Sequence, residues 1–308
     1  MPADSPSVPS GSATTHPADW LVAAVDRAAA PVCVGLDPVF ERLPDSRGGG
    51  RGAGGPSDKV DAMTGFCRRV VDAVADVVPC IKIQSACFER YGAAGVDGLA
   101  RTLTHARSAG LVVIDDAKRG DIGISAEHYA AGILGPESSG GLAADWITAS
   151  AYLGVDGLEP FLKHGGAFAL VRTSNPGGDA VQGCRLEDGR TVADMVAGLI
   201  AETGRDYRGQ SGYSALGAVV GATKPDDAAR LRQRMPEQIF LIPGYGAQGG
   251  GIDDVMPCFH DNGRGAIVTA SRSVIYAFEP GDANWPVAVR DAARKMADEV
   301  GQAVAGQS

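Results

Sequence analysis

Short apolar runs rich in β-branched residues alternate along this chain with longer stretches in which apolar positions recur every three or four residues. Eight such runs begin at Val32, Cys80, Leu111, Asp145, Ala167, Leu216, Gln238 and Ala266. Runs this continuous are typical of strands buried on both faces, as in a parallel sheet covered by helices. The stretches between them, for example 59–78, 98–109 and 191–203, have the pattern of amphipathic helices. The chain is therefore predicted to be an α/β protein.

The number of strand–helix units favours one particular architecture. Eight such units predict a single-domain (β/α)8 TIM barrel. The alternative is a doubly wound open sheet, which should carry a glycine-rich phosphate turn after its first strand. The first strand here is followed by GLDPVF, which contains no G-x-G-x-x-G. We therefore prefer the barrel.

Two segments lack either pattern. Residues 1–18 are rich in Pro, Ser and Thr, and residues 46–55 read SRGGGRGAGG. Such segments cannot bury enough apolar surface to offset the entropy lost on ordering. We therefore predict a disordered tail over 1–18, a flexible Gly-rich insertion at about 46–58, and a barrel domain over 19–303.

Charge and composition restrict the partners. The 308 residues include 28 Lys and Arg against 37 Asp and Glu, a net charge of −9. No nucleic-acid partner is expected, because phosphate-backbone binders normally present a basic face. The N-terminus lacks the basic and apolar regions of a secretory signal, and no apolar run is long enough to span a membrane. We expect a cytoplasmic protein with no membrane partner. The six cysteines form no CxxC pair, so no zinc site or disulfide framework is predicted.

Polar residues follow nearly every predicted strand. Barrel enzymes carry their chemistry at the carboxyl ends of the strands. Any one of these residues could be a solvated strand end, but their occurrence at the same end of the barrel predicts a ligand pocket. The residues concerned are Asp37, Lys82, Asp116, Lys118, Ser174, Gln248 and Arg272.

Lys82 is the most informative of these residues, because CIKIQ places an ammonium within a short apolar strand. A buried lysine is costly without an anionic partner. The third strand, LVVIDDAK, offers one, since the two-residue period places Asp116 and Lys118 on one face and Asp115 on the other. With Asp121, three residues further on, we predict an array of alternating charge.

The last two units are predicted to bind phosphate. In this fold the loops after the seventh and eighth strands commonly form an anion site from backbone N–H groups and a cationic side chain. PGYGAQGGG (243–251) supplies the glycine-rich turn, and TASRS (269–273) supplies Arg272, whose guanidinium suits phosphate oxygens.

These motifs resemble the orotidine 5'-phosphate decarboxylase family. DAKRGDIG has the form of its D-x-K-x-x-D signature, and IKIQSACFERYG, VRTSNPGG and IPGYGAQGGG are similar to the bacterial branch with longer loops. The similarity runs from VGLDP at Val34 to ASRSVIYA at Ala270. It implies decarboxylation of orotidine 5'-monophosphate (OMP) to uridine 5'-monophosphate (UMP) in pyrimidine biosynthesis, without a metal or organic cofactor.

The resemblance also implies a role for each catalytic position. Lys118 would donate the proton to the carbon that loses CO2. Asp116 would lie beside the departing carboxylate, and Lys82 would bind between the acid and the ribose. Asp121 would complete the site of the partner subunit in a homodimer with shared active sites.

The remaining positions would bind the substrate. Asp37 and, from the partner subunit, Ser125 would hold the ribose hydroxyls. Ser174 would contact the pyrimidine, and Gln248 with Arg272 would contact the phosphate.

Two alternatives remain open. A magnesium-dependent sugar-phosphate decarboxylase or aldolase of the same barrel superfamily would share D-x-K-x-x-D, but should carry an acidic residue in place of Lys82. A non-catalytic phosphate-binding barrel would need the glycine-rich loop and Arg272, but would have no use for Lys82 and Lys118 together.

Overall fold

Eight parallel strands close into a barrel in which each strand pairs with its neighbours in chain order. The computed structural model describes residues 16–44, 55–247 and 249–306. The strands are β1 (Val32–Leu36), β2 (Cys80–Ile83), β3 (Val112–Arg119), β4 (Trp146–Ser150), β5 (Gly166–Arg172), β6 (Leu216–Val220), β7 (Phe240–Ile242) and β8 (Ala266–Ala270). Each begins within two residues of its predicted start, and β8 closes on β1 through pairs such as Thr269 with Cys33. The predicted (β/α)8 barrel is confirmed.

Helices separate the strands. Within the described ranges the α-helices are α1 (Pro17–Ala28), α2 (Pro56–Val74), α3 (Ser85–Glu89), α4 (Gly92–Ser108), α5 (Gly123–Leu134), α6 (Glu159–Leu162), α7 (Asp179–Gln182), α8 (Val192–Gly204), α9 (Pro225–Arg234), α10 (Ile252–Val255), α11 (Arg272–Ile275) and α12 (Trp285–Ala305). Short 3-10 helices lie at Phe40–Arg42, Glu137–Ser139, Val155–Gly157, Pro176–Gly178, Arg205–Tyr207 and Met256–Cys258.

The barrel interior is filled by side chains from alternate strand positions. One buried cluster joins Cys80, Ile114, Trp146 and Phe168, and the last two rings stack with their centroids 4.4 Å apart. Because side chains alternate along a strand, the residues two positions further on form the next layer toward the carboxyl ends. That layer consists of Lys82, Asp116, Thr148 and Leu170. The polar residues therefore lie directly above the apolar interior, on the side of the carboxyl ends of the strands.

The helix α1 precedes the first strand and belongs to the barrel domain. Its residues Ala18, Leu21 and Ala24 are buried in the interior cluster. The predicted tail boundary at residue 18 is therefore wrong. Pro17 suits the first helical turn because its missing N–H is not needed there, and Ala18 is held by packing. Residues 1–15, for which disorder was predicted, lie outside the described residues.

Two further boundaries differ from the predicted ones. The helix α2 begins at Pro56, with the Gly55 N–H donating to Asp58 Oδ2 at 2.9 Å, so the end of the predicted insertion is the start of a helix. At the other end α12 continues to Ala305, two residues beyond the predicted domain end. Residues 45–54, which hold most of the predicted insertion, lie outside the described residues.

Two further features are seen along the described residues. No helix in the part of the chain that the structure describes combines the length and apolar character needed to cross a membrane. All six cysteines are free thiols.

Candidate active site

A cavity of about 700 Å³ opens at the carboxyl ends of the strands. It brings together six of the residues singled out in the sequence, which are Asp37, Lys82, Asp116, Lys118, Ser174 and Arg272. Asp121 and Ser125 do not line this cavity, and Gln248 lies outside the described residues. This is the arrangement expected of a barrel enzyme, in which polar residues converge above the apolar barrel interior.

Asp116 is the centre of the polar network. Lys82 Nζ donates to its Oδ2 at 2.6 Å, and Gln84 Nε2 donates to the same oxygen at 3.2 Å. Lys118 Nζ and Thr148 Oγ1 donate to Oδ1 at 2.5 Å and 2.8 Å. Burial opposes ionisation of Asp116, but Lys82 and Lys118 outweigh it and hold the pKa of this carboxyl well below its ordinary value. Asp116 is therefore a carboxylate at neutral pH.

Lys82 is the buried cation of the site. Its side chain is only 7% exposed, and its Nζ lies 3.9 Å from Asp37 Oδ1 in addition to its contact with Asp116. Burial would lower the pKa of Lys82, but the two carboxylates outweigh burial and raise that pKa above its ordinary value. The ammonium is thus kept charged by the anionic partners that a buried lysine requires.

Lys118 differs from Lys82 in its exposure. Its side chain is 47% exposed, although its Nζ contacts Asp116. Both lysines line the cavity, and Lys118 is the more exposed of the two ammonium groups to a bound ligand.

A bulge in β3 places Lys118. The pairing of β3 with β4 is regular to Asp115 opposite Ile147, and resumes only at Arg119 opposite Ala149. Three β3 residues therefore lie opposite Thr148, and Lys118 has a φ of 47°. Sequence reasoning expected Asp116 and Lys118 to share a face by simple alternation. Both do line the cavity, but the local backbone is a bulge, so that reason was wrong.

Asp115 lies on the other face of β3. It is buried and accepts a hydrogen bond from the Ser85 hydroxyl at the start of α3. Burial raises the pKa of Asp115 to about 6, although Ser85 and Arg119 favour the ionised form. This acid belongs to the packing of α3 on the barrel and does not line the cavity.

The loop after β5 forms one wall of the cavity through Thr173, Ser174 and Gln182. The Thr173 N–H donates to Gln182 Oε1 at 2.9 Å, which closes the loop on itself. Arg172, whose side chain is 6% exposed, anchors it by donating to Asp179 at 2.5 Å and to Asp227 at 2.7 Å. The loop that presents Ser174 is therefore tied to the barrel by a buried arginine.

The predicted phosphate end combines the loop after β7 with the start of α11. Gly244 and Gly246 have φ angles of 100° and 70°, which only glycine adopts readily. The Gly246 N–H donates to Gly250 O at 2.8 Å, and the Gly250 N–H donates to Gly244 O at 3.2 Å, so the loop is a compact turn. Arg272 is exposed at the cavity mouth beside this turn.

Asp121 and Ser125 lie beside an exposed apolar surface. Asp121 Oδ1 accepts from the N–H of Ile122 at 2.9 Å, just before α5, and Ser125 lies in the first turns of α5. The surrounding side chains of Ile122, Ile124, Tyr152 and Leu153 are 55%, 70%, 84% and 48% exposed, and we call these four residues the α5 patch. The Asp121 carbonyl oxygen lies close to Gly157, in the segment that follows β4.

Sequence reasoning missed three side chains that organise the site. Gln84 and Thr148 donate to Asp116, and Arg172 anchors the β5 loop. Each had a signal, since Gln84 follows Lys82 by two positions and Thr148 and Arg172 interrupt apolar strands. Among the described residues, no group of three or more His, Cys, Asp or Glu side chains could hold a metal ion.

The comparisons with known proteins agree on one family. The model of the orotidine 5'-phosphate decarboxylase / HUMPS family matches residues 30–284. A protein from Rhodopirellula baltica named orotidine 5'-phosphate decarboxylase is 42% identical over 298 residues, which cover 92% of this chain and 98% of that protein. A protein of the same name from Roseiflexus castenholzii is 41% identical over 277 residues, covering 89% and 93%.

Solved structures give the same result. A crystal structure of a protein from Streptomyces avermitilis, titled as an orotidine 5'-phosphate decarboxylase, is similar with a TM-score of 0.79 and 35% identity. The match covers 96% of this chain and 98% of that one. The structure of Leishmania donovani OMP decarboxylase is similar with a TM-score of 0.74 and 28% identity, covering 94% and 99%.

Proposed function

Because the chain belongs to the orotidine 5'-phosphate decarboxylase / HUMPS family, we propose that it converts OMP to UMP and CO2 in pyrimidine biosynthesis. The observation that carries the proposal is the contact of Asp116 with both Lys82 and Lys118 at the mouth of the barrel. This array supplies fixed charges and a proton without a metal or an organic cofactor.

The chemistry requires such an array. When the bond between C6 and the carboxylate breaks, the electron pair remains on a ring carbon that has no adjacent carbonyl to delocalise it. An ammonium about 4 Å from a unit negative charge contributes about 4 kcal/mol at an effective dielectric constant of about 20. Such preorganised charge is the main tool left to the protein.

Lys118 would then complete the reaction. Its Nζ donates a proton to C6, forming the new C–H bond of UMP as CO2 leaves. Asp116 keeps the Lys118 ammonium oriented through the 2.5 Å contact, and Lys82 compensates the remaining charge of Asp116. Asp116 would also lie beside the substrate carboxylate.

The other lining residues are proposed to hold the substrate. Asp37 would bind ribose hydroxyls beside Lys82, and Ser174 would contact the pyrimidine from the β5 loop. Arg272 and the glycine-rich turn, together with Gln248, would bind the phosphate. Binding energy from these remote contacts can offset the cost of positioning the reacting carbon.

The site is proposed to be shared between two subunits of a homodimer. Asp121 and Ser125 do not line their own chain's cavity, and both lie at the edge of the α5 patch. Exposed apolar patches of this kind commonly mark interfaces. In a two-fold dimer the same patch is used by both chains, so each would supply its Asp121 and Ser125 to the partner's cavity.

The two rival functions require different features. A magnesium-dependent sugar-phosphate enzyme would place a divalent cation at the acids, but Asp116 already contacts two ammonium groups that would repel it. A non-catalytic phosphate-binding barrel would use Arg272 and would gain nothing from the desolvated Lys82.

The location is part of the same proposal. Six free thiols suit a reducing compartment, so we place the reaction in the cytoplasm. The net charge of −9 gives no reason to expect a nucleic-acid partner.

The test is an ultraviolet assay that follows loss of OMP by the purified protein with and without EDTA, with UMP identified as the product. We expect turnover at the same rate in both conditions. Activity that EDTA abolishes and Mg²⁺ restores would favour the metal-dependent reaction. Phosphate binding without OMP turnover would favour the non-catalytic barrel.

A further inference from the structure

We propose that Thr148 is a positioning residue whose hydroxyl fixes the bulged backbone at Lys118 and the carboxylate of Asp116 at the same time. The effect on turnover that this proposal predicts rests on the decarboxylation proposed above. The effect on the geometry of Lys118 can be measured without that reaction.

The first observation is the position of Thr148 in the sheet. It is the β4 residue opposite the bulge, between the pair Asp115 with Ile147 and the pair Arg119 with Ala149. Within the bulge the regular ladder between the strands is interrupted. The Lys118 N–H donates instead to Thr148 Oγ1, at 3.0 Å. A side chain of β4 therefore replaces the backbone acceptor that a regular sheet would provide.

The second observation is that the same oxygen serves both functional groups. Thr148 Oγ1 accepts from the Lys118 backbone and donates to Asp116 Oδ1 at 2.8 Å. A hydroxyl has one proton, so while it donates to Asp116 it has none for a bound substrate. Thr148 is 1% exposed, so water does not readily replace either hydrogen bond. Its contribution is therefore made through its neighbours.

The third observation is the backbone of Lys118. Its φ of 47° lies in the left-handed region, which is strained for a residue other than glycine. Such a conformation persists where the surroundings hold it. Since the Lys118 side chain is long and half exposed, the direction in which it leaves the backbone decides where its ammonium lies. The hydrogen bond from the bulge to Thr148 sets that direction.

The chain offers a matched set of variants. Thr148→Val keeps the β-branched shape and removes the hydroxyl, whereas Thr148→Ser keeps the hydroxyl. Thr64 is the control, because it is a buried threonine on α2 that does not line the cavity and whose Oγ1 has no hydrogen-bond partner among the described residues. Thr64→Val makes the same chemical change without removing a bond to the charged residues.

The kinetic test is read relative to wild type, whose turnover of OMP is measured first. We expect Thr148→Val to lower kcat by about ten- to hundredfold, the usual effect of losing a hydrogen bond to a charged group. KM for OMP and affinity for UMP should change less than about threefold, because the substrate-binding contacts remain. Thr148→Ser and Thr64→Val should stay within about threefold of wild type in kcat. Thermal unfolding of each variant separates loss of folding from loss of rate.

The structural test uses crystal structures of the two Thr148 variants. In Thr148→Val the φ of Lys118 should leave the left-handed region or its Nζ should leave Asp116, whereas Thr148→Ser should retain both. Unchanged Lys118 geometry in Thr148→Val would overturn the positioning proposal even if OMP is turned over. Equal kcat in the Val and Ser variants, or an equal loss in Thr64→Val, would also overturn it. A wild type that does not turn over OMP would contradict the proposed function instead, and the crystal structures would still test the role of Thr148.

Discussion

Asp116 accepts hydrogen bonds from four side chains, and the sequence allowed two of these contacts to be predicted. Lys82 was predictable, because an ammonium in an apolar strand requires a carboxylate within reach. Lys118 was predictable from its place in D-x-K-x-x-D. Gln84 and Thr148 were not, because a neutral polar residue near a strand end is equally compatible with solvent contact.

Arg272 gives a prediction about binding at the residue scale. Arg272→Ala should lower kcat/KM for OMP by about ten- to hundredfold, since it removes charge-assisted bonds to the phosphate. Added guanidinium should partly restore the rate. Arg264→Ala is the control, because Arg264 pairs with Asp26 on the exposed surface and does not line the cavity. Steady-state kinetics that leave KM and kcat of Arg272→Ala unchanged would remove Arg272 from the phosphate site.

Asp115 gives a prediction about stability. Burial raises its folded pKa to about 6, above its ordinary 3.8, so the folded state binds the proton more tightly than the unfolded state. The contribution of Asp115 to stability therefore falls as pH rises from about 4 to about 6, by about 3 kcal/mol in total. Asp115→Asn should remove this dependence while leaving an oxygen for the Ser85 hydroxyl.

The measurement is the free energy of urea unfolding of wild type and Asp115→Asn between pH 4 and pH 7.5. The variant should gain stability relative to wild type as pH rises, and the difference between the two should become constant above about pH 6. A difference between the two proteins that does not change with pH would show that Asp115 does not titrate in this window.

At the scale of elements, periodicity predicted the eight strands because parallel barrel strands are buried on both faces. It did not predict α1, because residues 17–28 follow a Pro- and Ser-rich stretch and their helix is stabilised by packing on the barrel interior. It also could not predict the β3 bulge. A change of register depends on the pairing of Lys118 with the neighbouring strand, which a single strand's sequence does not specify.

The loop after β5 gives a prediction at this scale. Arg172→Met should raise KM for OMP and increase hydrogen–deuterium exchange over residues 173–182, because it removes the buried bonds to Asp179 and Asp227. Removing one partner of a buried ion pair can cost about 3–5 kcal/mol of stability. Asp179→Asn is therefore a milder second variant, since Asp179 is on the exposed loop.

Arg230→Met is the matched control for Arg172→Met. Arg230 also pairs with Asp227, but its other partner is Asp194 on α8, outside residues 173–182. If exchange over residues 173–182 rises equally in both variants, or in neither, Arg172 does not anchor the loop.

At the scale of the whole molecule, the dimer with shared active sites was predicted from the resemblance to a family and not from residue spacing. A single chain cannot show whether Asp121 reaches another cavity, but it does show Asp121 outside its own. The α5 patch adds a surface that a second copy could cover. The dimer with shared sites therefore remains a proposal with a specific geometric consequence.

Mixing inactive variants tests that consequence. A heterodimer of Lys118→Ala and Asp121→Ala would carry both defects in one site and leave the other intact. With random exchange about half of the dimers are mixed, so activity should recover to about a quarter of wild type. Lys118→Ala mixed with Lys82→Ala is the control, because both residues serve their own chain's cavity and no intact site can form. Equal recovery in the two mixtures, or no recovery despite proven exchange, would contradict a shared site.

The proposed decarboxylation depends most on the claim that Lys118 protonates the carbon from which CO2 departs. The most direct measurement is the rate of UMP formation from OMP by Lys118→Ala, compared with wild type at matched folded concentration and with affinity for UMP measured in parallel. We predict that UMP affinity is largely retained while turnover falls by about a thousandfold or more, because both the proton and the stabilising charge are lost. A variant that keeps more than about a tenth of wild-type turnover, a loss under about 1.4 kcal/mol, would contradict that claim.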